Sequence, residues 1–383
     1  MSRRTIFIPY HPKSVLNKGP RADHWFWSRY SAYPYLGCQH GCAFCYCREK
    51  KFSPYDDPQD FAYVIKVKEN APQLLRRGLQ RAALDVVFTG DYQPAERKFG
   101  LSRQLLEVCL ELGFPVLVLE RSPLVLRDLD LLQEIQRRAR AVVMFSIIYT
   151  PETPAAGRVR SFERLAPGVE RRFAAMERLA AAGITTGVSA MPLLPGLCDT
   201  AENLDLLAHW TANHGGAFIL ASGLTLADRQ REHFFQYLQA QAPELVERYA
   251  RWYPPGSYGA AGGYRWLETA RQVRQACLRH GILDRMPRPV VPGEKRALNK
   301  RAAERLADEA YRLDLEGKPA QAWRFRKAAW AMDDLPQELG LLYRTLGARG
   351  IAGIPGVGEE LAGEVVAWLQ SPARAEQFGA NPP

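Results

Sequence analysis

Cys38, Cys42 and Cys45 stand together in the run Gly37-Cys38-Gln39-His40-Gly41-Cys42-Ala43-Phe44-Cys45. This C-x₃-C-x₂-C spacing, with an aromatic residue before the third cysteine, suits a [4Fe–4S] cluster held by three thiolates. Four irons and three protein ligands leave one iron open to a small molecule, and S-adenosylmethionine (SAM) is the molecule this arrangement points to. Gly37 and Gly41 flank the first two cysteines and permit the tight backbone that three thiolates around one cubane require. A competing reading is a structural zinc site, with His40 or Cys47 completing the set. A zinc module, however, usually brings its second ligand pair from downstream, whereas Cys109, Cys198 and Cys277 are isolated. The iron–sulfur reading makes the chain an enzyme of radical chemistry. The zinc reading, or a cluster without catalysis, makes it a nucleic-acid-binding protein.

Such a site needs a scaffold, and the middle of the chain alternates strand-like and helix-like segments. Tyr33-Pro34-Tyr35-Leu36, Leu84–Phe88, Pro115–Leu119, Ala141–Ile148, Ile184–Met191 and Ala217–Ala221 read as short apolar strands. Between them Leu101, Leu105, Cys109 and Leu112, and later Phe173, Met176 and Ala180, recur at helical spacing and stop at Gly113 and Gly183. Repeated βα units demand a parallel sheet with right-handed crossovers, whose strand C-terminal ends collect on one face.

Length and composition set the limits. A chain of 383 residues with 47% hydrophobic and 24% charged residues is ordinary globular protein of two or three domains. No apolar run approaches the ~18 residues of a membrane helix, and Thr5-Ile6-Phe7-Ile8 is too short for a signal-peptide core. Seven cysteines, an odd number with three clustered, argue against a disulfide framework and for a reducing cytoplasm. The net charge is +10. Residues 1–294 hold 38 Lys and Arg against 29 Asp and Glu, residues 295–327 ten against five, and residues 328–383 three against seven. A positive field over the first part of the chain would attract phosphate backbones, although solvated helix faces such as Arg76-Arg77 and Arg137-Arg138 account for part of it. Residues 1–30 read as an N-terminal extension, 31–285 as the catalytic domain and 286–296 as a Pro-rich basic linker. A helical domain follows over 297–372, with a tail over 373–383. The aromatic, glycine-rich stretch Trp252–Tyr264 reads as a loop that either stacks on bases or packs on its own side chains.

The cysteine motif resembles that of the radical SAM superfamily, and within it the chain is similar to the spore photoproduct lyase-like branch. The resemblance rests on Ser14-Val15-Leu16-Asn17-Lys18, Tyr33 through Tyr46, Asp91-Tyr92-Gln93-Pro94-Ala95-Glu96-Arg97, Ser122 through Asp128, and Pro192-Leu193-Leu194-Pro195-Gly196-Leu197, spanning roughly residues 10–290. It implies an α/β fold, a partial (β/α)₆ TIM-like barrel, with a [4Fe–4S] cluster and SAM as cofactors. It further implies reductive SAM cleavage to a 5′-deoxyadenosyl radical and an electron from a reductant such as flavodoxin or ferredoxin. By the same resemblance Thr89, Gly90 and Asp91 meet the SAM amino group, Arg121 its carboxylate and Ser146 the ligand through a hydrogen bond, with Phe44 and Met191 on either side of adenine. One departure stands out. Photoproduct lyases have Cys-Ser-Asp where this chain has Thr89-Gly90-Asp91, and that cysteine returns a hydrogen atom to the product radical. An O–H bond is too strong to do so easily, so Cys198, Cys47 or Tyr92 would have to substitute.

Near the C-terminus Gly353-Ile354-Pro355-Gly356-Val357-Gly358 resembles the turn of a helix-hairpin-helix. The wider segment, from Asn299-Lys300 through Tyr311-Arg312 and Phe325-Arg326-Lys327-Ala328-Ala329 to the hairpin, looks like the N-terminal domain of family X DNA polymerases. In such a hairpin, glycine backbone N–H groups face a DNA phosphate. Glu360 and Glu364 occupy places where those polymerases carry lysines, so no deoxyribose-phosphate lyase chemistry is expected. Lys295, Arg296, Lys300, Arg301 and Arg305 are the candidate replacement cations. The combined expectation is a radical enzyme acting on nucleic acid, in lesion repair or base modification. The alternative is action on a protein or metabolite, with the helical domain docking a partner.

Overall fold

The computed structural model describes residues 3–256, 259, 261–262 and 266–371. Ser257, Tyr258, Ala260, Gly263 and Tyr264 of the aromatic loop, and the tail from residue 372, lie outside the described residues. The chain divides into two compact units: Met1–Lys18 with Tyr30–Met286, and Gly19–Arg29 with Pro287–Pro383.

In the first unit the strands are β1 (Ile6–Tyr10), β2 (Asn17–Lys18), β3 (Ser28–Ser31, crossing the boundary), β4 (Tyr35–Leu36), β5 (Val64–Lys68), β6 (Val86–Gly90), β7 (Val116–Glu120), β8 (Ala141–Ser146), β9 (Thr185–Leu193) and β10 (Ile219–Gly223). Strands β6 to β10 lie side by side in chain order, each pair parallel, in a sheet ordered β10-β9-β8-β7-β6-β3-β2. The expected strands at residues 84–88, 115–119, 141–148, 184–191 and 217–221 are thus present with small shifts. Tyr35–Leu36, which opened the expected series, instead pairs antiparallel with β5 in a second sheet, ordered β1-β5-β4. Ile6–Tyr10, read as part of an extension, pairs parallel with β5.

The parallel strands are covered on both faces, which is why they read as continuous apolar runs rather than alternating ones. All six residues of β8 are buried. Helices Leu101–Leu112, Leu129–Arg138, Val169–Ala181 and Ala201–Asn213 return the chain between strands, and their apolar stripes supply Leu105, Leu132, Ile135, Phe173, Met176 and Leu207 to the core. Gly113 and Gly183 end two of them at φ of 72° and 79°, the left-handed terminus that glycine adopts without a Cβ penalty. Thr200 opens another, its side chain accepting from the Asn203 N–H at 3.2 Å.

The second unit is helical: Ala297–Leu315, Pro319–Asp334, Leu339–Ala352 and Gly358–Leu369. Small residues (Ala302, Ala303, Ala322, Ala328, Ala329) let the first two helices approach closely. Residues 19–29 belong here. His24 stacks on Trp330 at 5.2 Å, Trp25 meets Tyr311 edge-on at 6.1 Å, and the Arg288 guanidinium lies 4.9 Å from the Trp27 ring centre. Arg288, read as linker, is wholly buried and pairs with Asp333 at 2.5 Å.

Gly187 in β9 tests the sheet. A Cβ there would stand 2.5 Å from the Phe218 carbonyl oxygen and 2.8 Å from its ring, while that oxygen accepts from Val188 N–H at 2.9 Å. Gly187→Ala is expected to destabilise the first unit by about 1–3 kcal/mol through overpacking, read as a lowered urea midpoint; an unchanged midpoint would count against this packing.

Candidate active site

The cysteine loop is held by its backbone. Gly37 adopts φ 83°, and a Cβ there would meet the Val64 carbonyl oxygen at 2.6 Å, so only glycine fits. Cys38 N–H donates to Phe61 O at 2.8 Å, Gly41 N–H to Cys38 O at 3.0 Å and Ala43 N–H to Phe162 O at 2.7 Å. Buried Arg48 then clamps the loop from within. Its guanidinium donates to the carbonyls of Cys42 (2.9 Å), Gly41 (2.9 Å) and Pro58 (2.6 Å).

This frame brings the three sulfurs near enough to perturb one another. Burial pushes the Cys42 thiol up to about 11. Desolvation, then the charges of Asp91, Cys45 and Cys42, raise Cys38. Cys45 is drawn down to about 6, chiefly by a hydrogen bond from Cys47. All seven cysteines are free thiols. Among the described residues no three His, Cys, Asp or Glu side chains converge so as to hold a single metal ion. Burial disfavours the thiolate at Cys38 and Cys42, so the thiol set suits a cationic group that absorbs its charge.

The end of β6 faces this loop through one side chain that the sequence reading passed over. Gln93 is fully buried. Its amide nitrogen donates to Gly37 O (3.0 Å) and to the Asp91 carboxylate (2.9 Å), while its oxygen accepts from Gln39 N–H (3.0 Å). Asp91 itself sits at φ 83°. Gly90 has no room for a side chain, since a Cβ would stand 2.6 Å from Glu120 Oε1. That buried Glu120, also unforeseen, accepts from the N–H groups of Asp91 and Tyr92, the latter at 2.9 Å. Burial raises Asp91 to about 7 and Glu120 to about 8. Two acids so placed are completed by a cationic partner such as an ammonium. Thr89 does not face outward; its hydroxyl donates to Ala32 O at 2.9 Å.

Across the site Arg121, at the end of β7, lies 5.0 Å from the Phe44 ring centre and pairs with Glu163. Fully buried Arg172 reaches the same carboxylate at 2.7 Å and donates to Ser146 O at 2.8 Å. Two arginines share one carboxylate, which leaves a positive charge beside the cysteines. Ser146 Oγ donates to Met191 O at 3.2 Å, and Gln230 fixes Phe44 by donating to its carbonyl at 2.9 Å. Cys38, Cys42, Cys45, Phe44, Asp91, Arg121, Ser146 and Met191 are therefore linked through a few intervening contacts. Glu163 and Arg172 carry no sequence signal beyond being charged; their burial gives them away.

The proposed hydrogen donors lie differently. Cys198 is buried with its sulfur accepting from Leu194 N–H at 3.2 Å, and burial raises its thiol. Tyr92 donates its hydroxyl to Asp128 at 2.8 Å, in a network with Arg127 and Arg103. In the helical unit Gly356 and Gly358 take φ of 86° and 70° between the last two helices, whereas Gly353 is right-handed at −72°. Lys295 is exposed. Lys300, offered as a phosphate contact, is instead buried against Glu294 at 2.8 Å, and Arg301 pairs with Glu304 at 2.7 Å.

The family model of the radical SAM superfamily matches residues 33–207, which contain the cysteine loop and the ends of β6, β7 and β8. An uncharacterized protein of Mycobacterium tuberculosis is 32% identical over 254 residues, covering 64% of this chain and 73% of its own. An uncharacterized protein of Methanocaldococcus jannaschii is 27% identical over 222 residues, 57% of this chain and 79% of its own. A radical SAM Nalpha-GlyT isomerase of Pseudomonas phage M6 is 24% identical over 251 residues, 64% of this chain but only 48% of its own. Among solved structures, methylornithine synthase is 15% identical with a TM-score of 0.39, over 78% of this chain and 84% of its own. Streptococcus suis SuiB bound to S-adenosylmethionine is 11% identical with a TM-score of 0.38, over 57% of this chain and 47% of its own. The chain belongs to the radical SAM superfamily and is a radical SAM enzyme, with a [4Fe–4S] cluster and SAM as its cofactors. One-electron reduction of SAM is the chemistry that the cluster supplies when bound.

Asp91 gives a pH-dependent test in the cluster-free protein. Its folded value of about 7 stands above the ordinary 3.8, so between those values the folded state keeps a proton that the unfolded chain releases. Stability therefore falls as pH rises through that window. Asp91→Asn is expected to match the native protein in thermal midpoint near pH 4.5 and to exceed it at pH 8. A difference that does not grow with pH would show that Asp91 ionises without penalty.

Proposed function

We propose that the three cysteines hold the cluster and that Asp91 and Arg121 bind the amino and carboxylate groups of SAM. On this reading Phe44 and Met191 border its adenine, and the substrate is nucleic acid, altered at a base or a base lesion. The observation that carries the substrate reading is the glycine turn Gly356–Gly358. It opens the helix Gly358–Leu369 with two left-handed glycines on a chain of net charge +10, a form suited to presenting backbone N–H groups to phosphate. The hairpin belongs, on this reading, to the helix-hairpin-helix type, and the parallel-sheet unit to the partial (β/α)₆ barrel of the spore photoproduct lyase-like branch.

Photoproduct reversal itself is the less favoured reaction. The Thr89 hydroxyl is committed to Ala32 O, and Cys198 and Tyr92 hold their own partners. A modification that ends without return of a hydrogen atom from the protein suits these residues better. Acidic residues favour a second reading, in which the helical unit docks a protein: Glu359 and Glu360 stand in the first turn of Gly358–Leu369 and Glu360 pairs with Arg324 at 2.6 Å.

Reconstituted anaerobically with dithionite, the full chain is expected to form 5′-deoxyadenosine from SAM, and Cys42→Ala to form none. Full-length protein is expected to bind duplex or single-stranded DNA with an affinity that falls steeply with salt, and Gly356→Asp to weaken it at least tenfold. Undiminished turnover by Cys42→Ala would remove the cysteine assignment; salt-independent or absent DNA binding would favour the protein-docking reading.

A further inference from the structure

His40 lies between the first two cysteines and is 6% exposed, yet among the described residues neither of its ring nitrogens has a hydrogen-bond partner. Leaving an enclosed imidazole unsatisfied is unfavourable, and buried polar groups are nearly always paired with something. The described neighbours offer no remedy. The charges that act on His40 are the guanidinium groups of Arg121 and Arg172, and a guanidinium carries only donors. Glu163, the carboxylate between them, is already engaged by both arginines. Gln93, the amide that bridges to the loop, spends its oxygen on Gln39 N–H and its nitrogen on Gly37 and Asp91. Whichever tautomer the ring takes, it presents at least one N–H, and that N–H lacks an acceptor among the described residues.

We infer that His40 is a positioning and tuning residue whose ring N–H donates to a sulfur of the cluster held by Cys38, Cys42 and Cys45. The acceptor is then a soft, electron-rich sulfur that arrives with the bound group. Hydrogen bonds to cluster sulfurs are one of the levers that set reduction potential. A donor there stabilises the more negative, reduced state, so it raises the potential and eases entry of the electron. This role is independent of which substrate the enzyme acts on. It also distinguishes His40 from a zinc ligand, for which a bare ring nitrogen rather than an N–H would face the metal.

The test compares reconstituted native protein, His40→Leu and His40→Gln by EPR-monitored redox titration without SAM, with iron content and cluster-free thermal midpoints measured in parallel. Leucine removes the donor and glutamine keeps an N–H. The expected result is a tenfold loss in the equilibrium for cluster reduction in His40→Leu, about 59 mV for one electron, with partial recovery in His40→Gln. The cluster-free midpoints should not fall, because leucine relieves an unsatisfied polar group. Loss of the cluster from His40→Leu alone, with its cluster-free midpoint intact and His40→Gln still loaded, gives the same support. Equal potentials in all three loaded proteins would overturn the assignment. So would a shift seen only after SAM is added, which would move the acceptor to SAM, or a lowered cluster-free midpoint in both variants, which would make the ring a packing element.

Discussion

Three thiols kept close together in a loop, away from full hydration, form an arrangement that repels itself. Desolvation and mutual charge push two of the three toward the neutral form, so the loop cannot be held by its side chains. Its backbone does the work. Glycine at position 37 passes where no Cβ fits, and Arg48 gathers three carbonyl groups at once. A rigid main chain can hold a strained donor set open for the partner that relieves it, and the remaining contacts of the site are arranged around that requirement.

The sheet supplies the second half of the geometry. Parallel strands deliver Asp91, Arg121 and Ser146 to one edge because each strand's last residues point the same way. Gln93 then locks that edge to the cysteine loop with both ends of one amide. On the opposite flank Glu163 stands between Arg121 and Arg172. The site thus has an acidic side, built on Asp91 and Glu120, and a basic side, built on two arginines, with the cysteines between them. A zwitterionic ligand carrying an ammonium and a carboxylate matches that polarity.

The parts legible in the sequence share a cause: each is a local pattern. Cysteine spacing, the apolar runs of β6 to β10 and the glycines that stop helices at 113 and 183 are fixed by neighbours along the chain. What escaped depends on contacts between distant residues. Gln93 looks like any polar loop residue until its partners at positions 37, 39 and 91 are known. Glu163 and Arg172 are simply charged residues in the sequence, and burial alone reveals them as a buried pair. Val64–Lys68 alternates charged and apolar residues too briefly to be seen as a strand without β1 and β4 beside it. Lys300 shows the converse error. A lysine in a basic run suggests a phosphate contact, but this one is enclosed with Glu294.

The helical unit has a consequence for how the chain is made. Its first piece, residues 19–29, leaves the ribosome long before its other piece, which begins at Pro287. Trp25 and Trp27 must wait through the synthesis of residues 30–286 before Tyr311 and Arg288 arrive to cover them. Over that interval two large indoles lack the partners that the late helices bring, the kind of transient apolar exposure that chaperones recognise. Removing the early stretch would leave the late helices without their aromatic insert, so the unit is one fold written in two distant sentences.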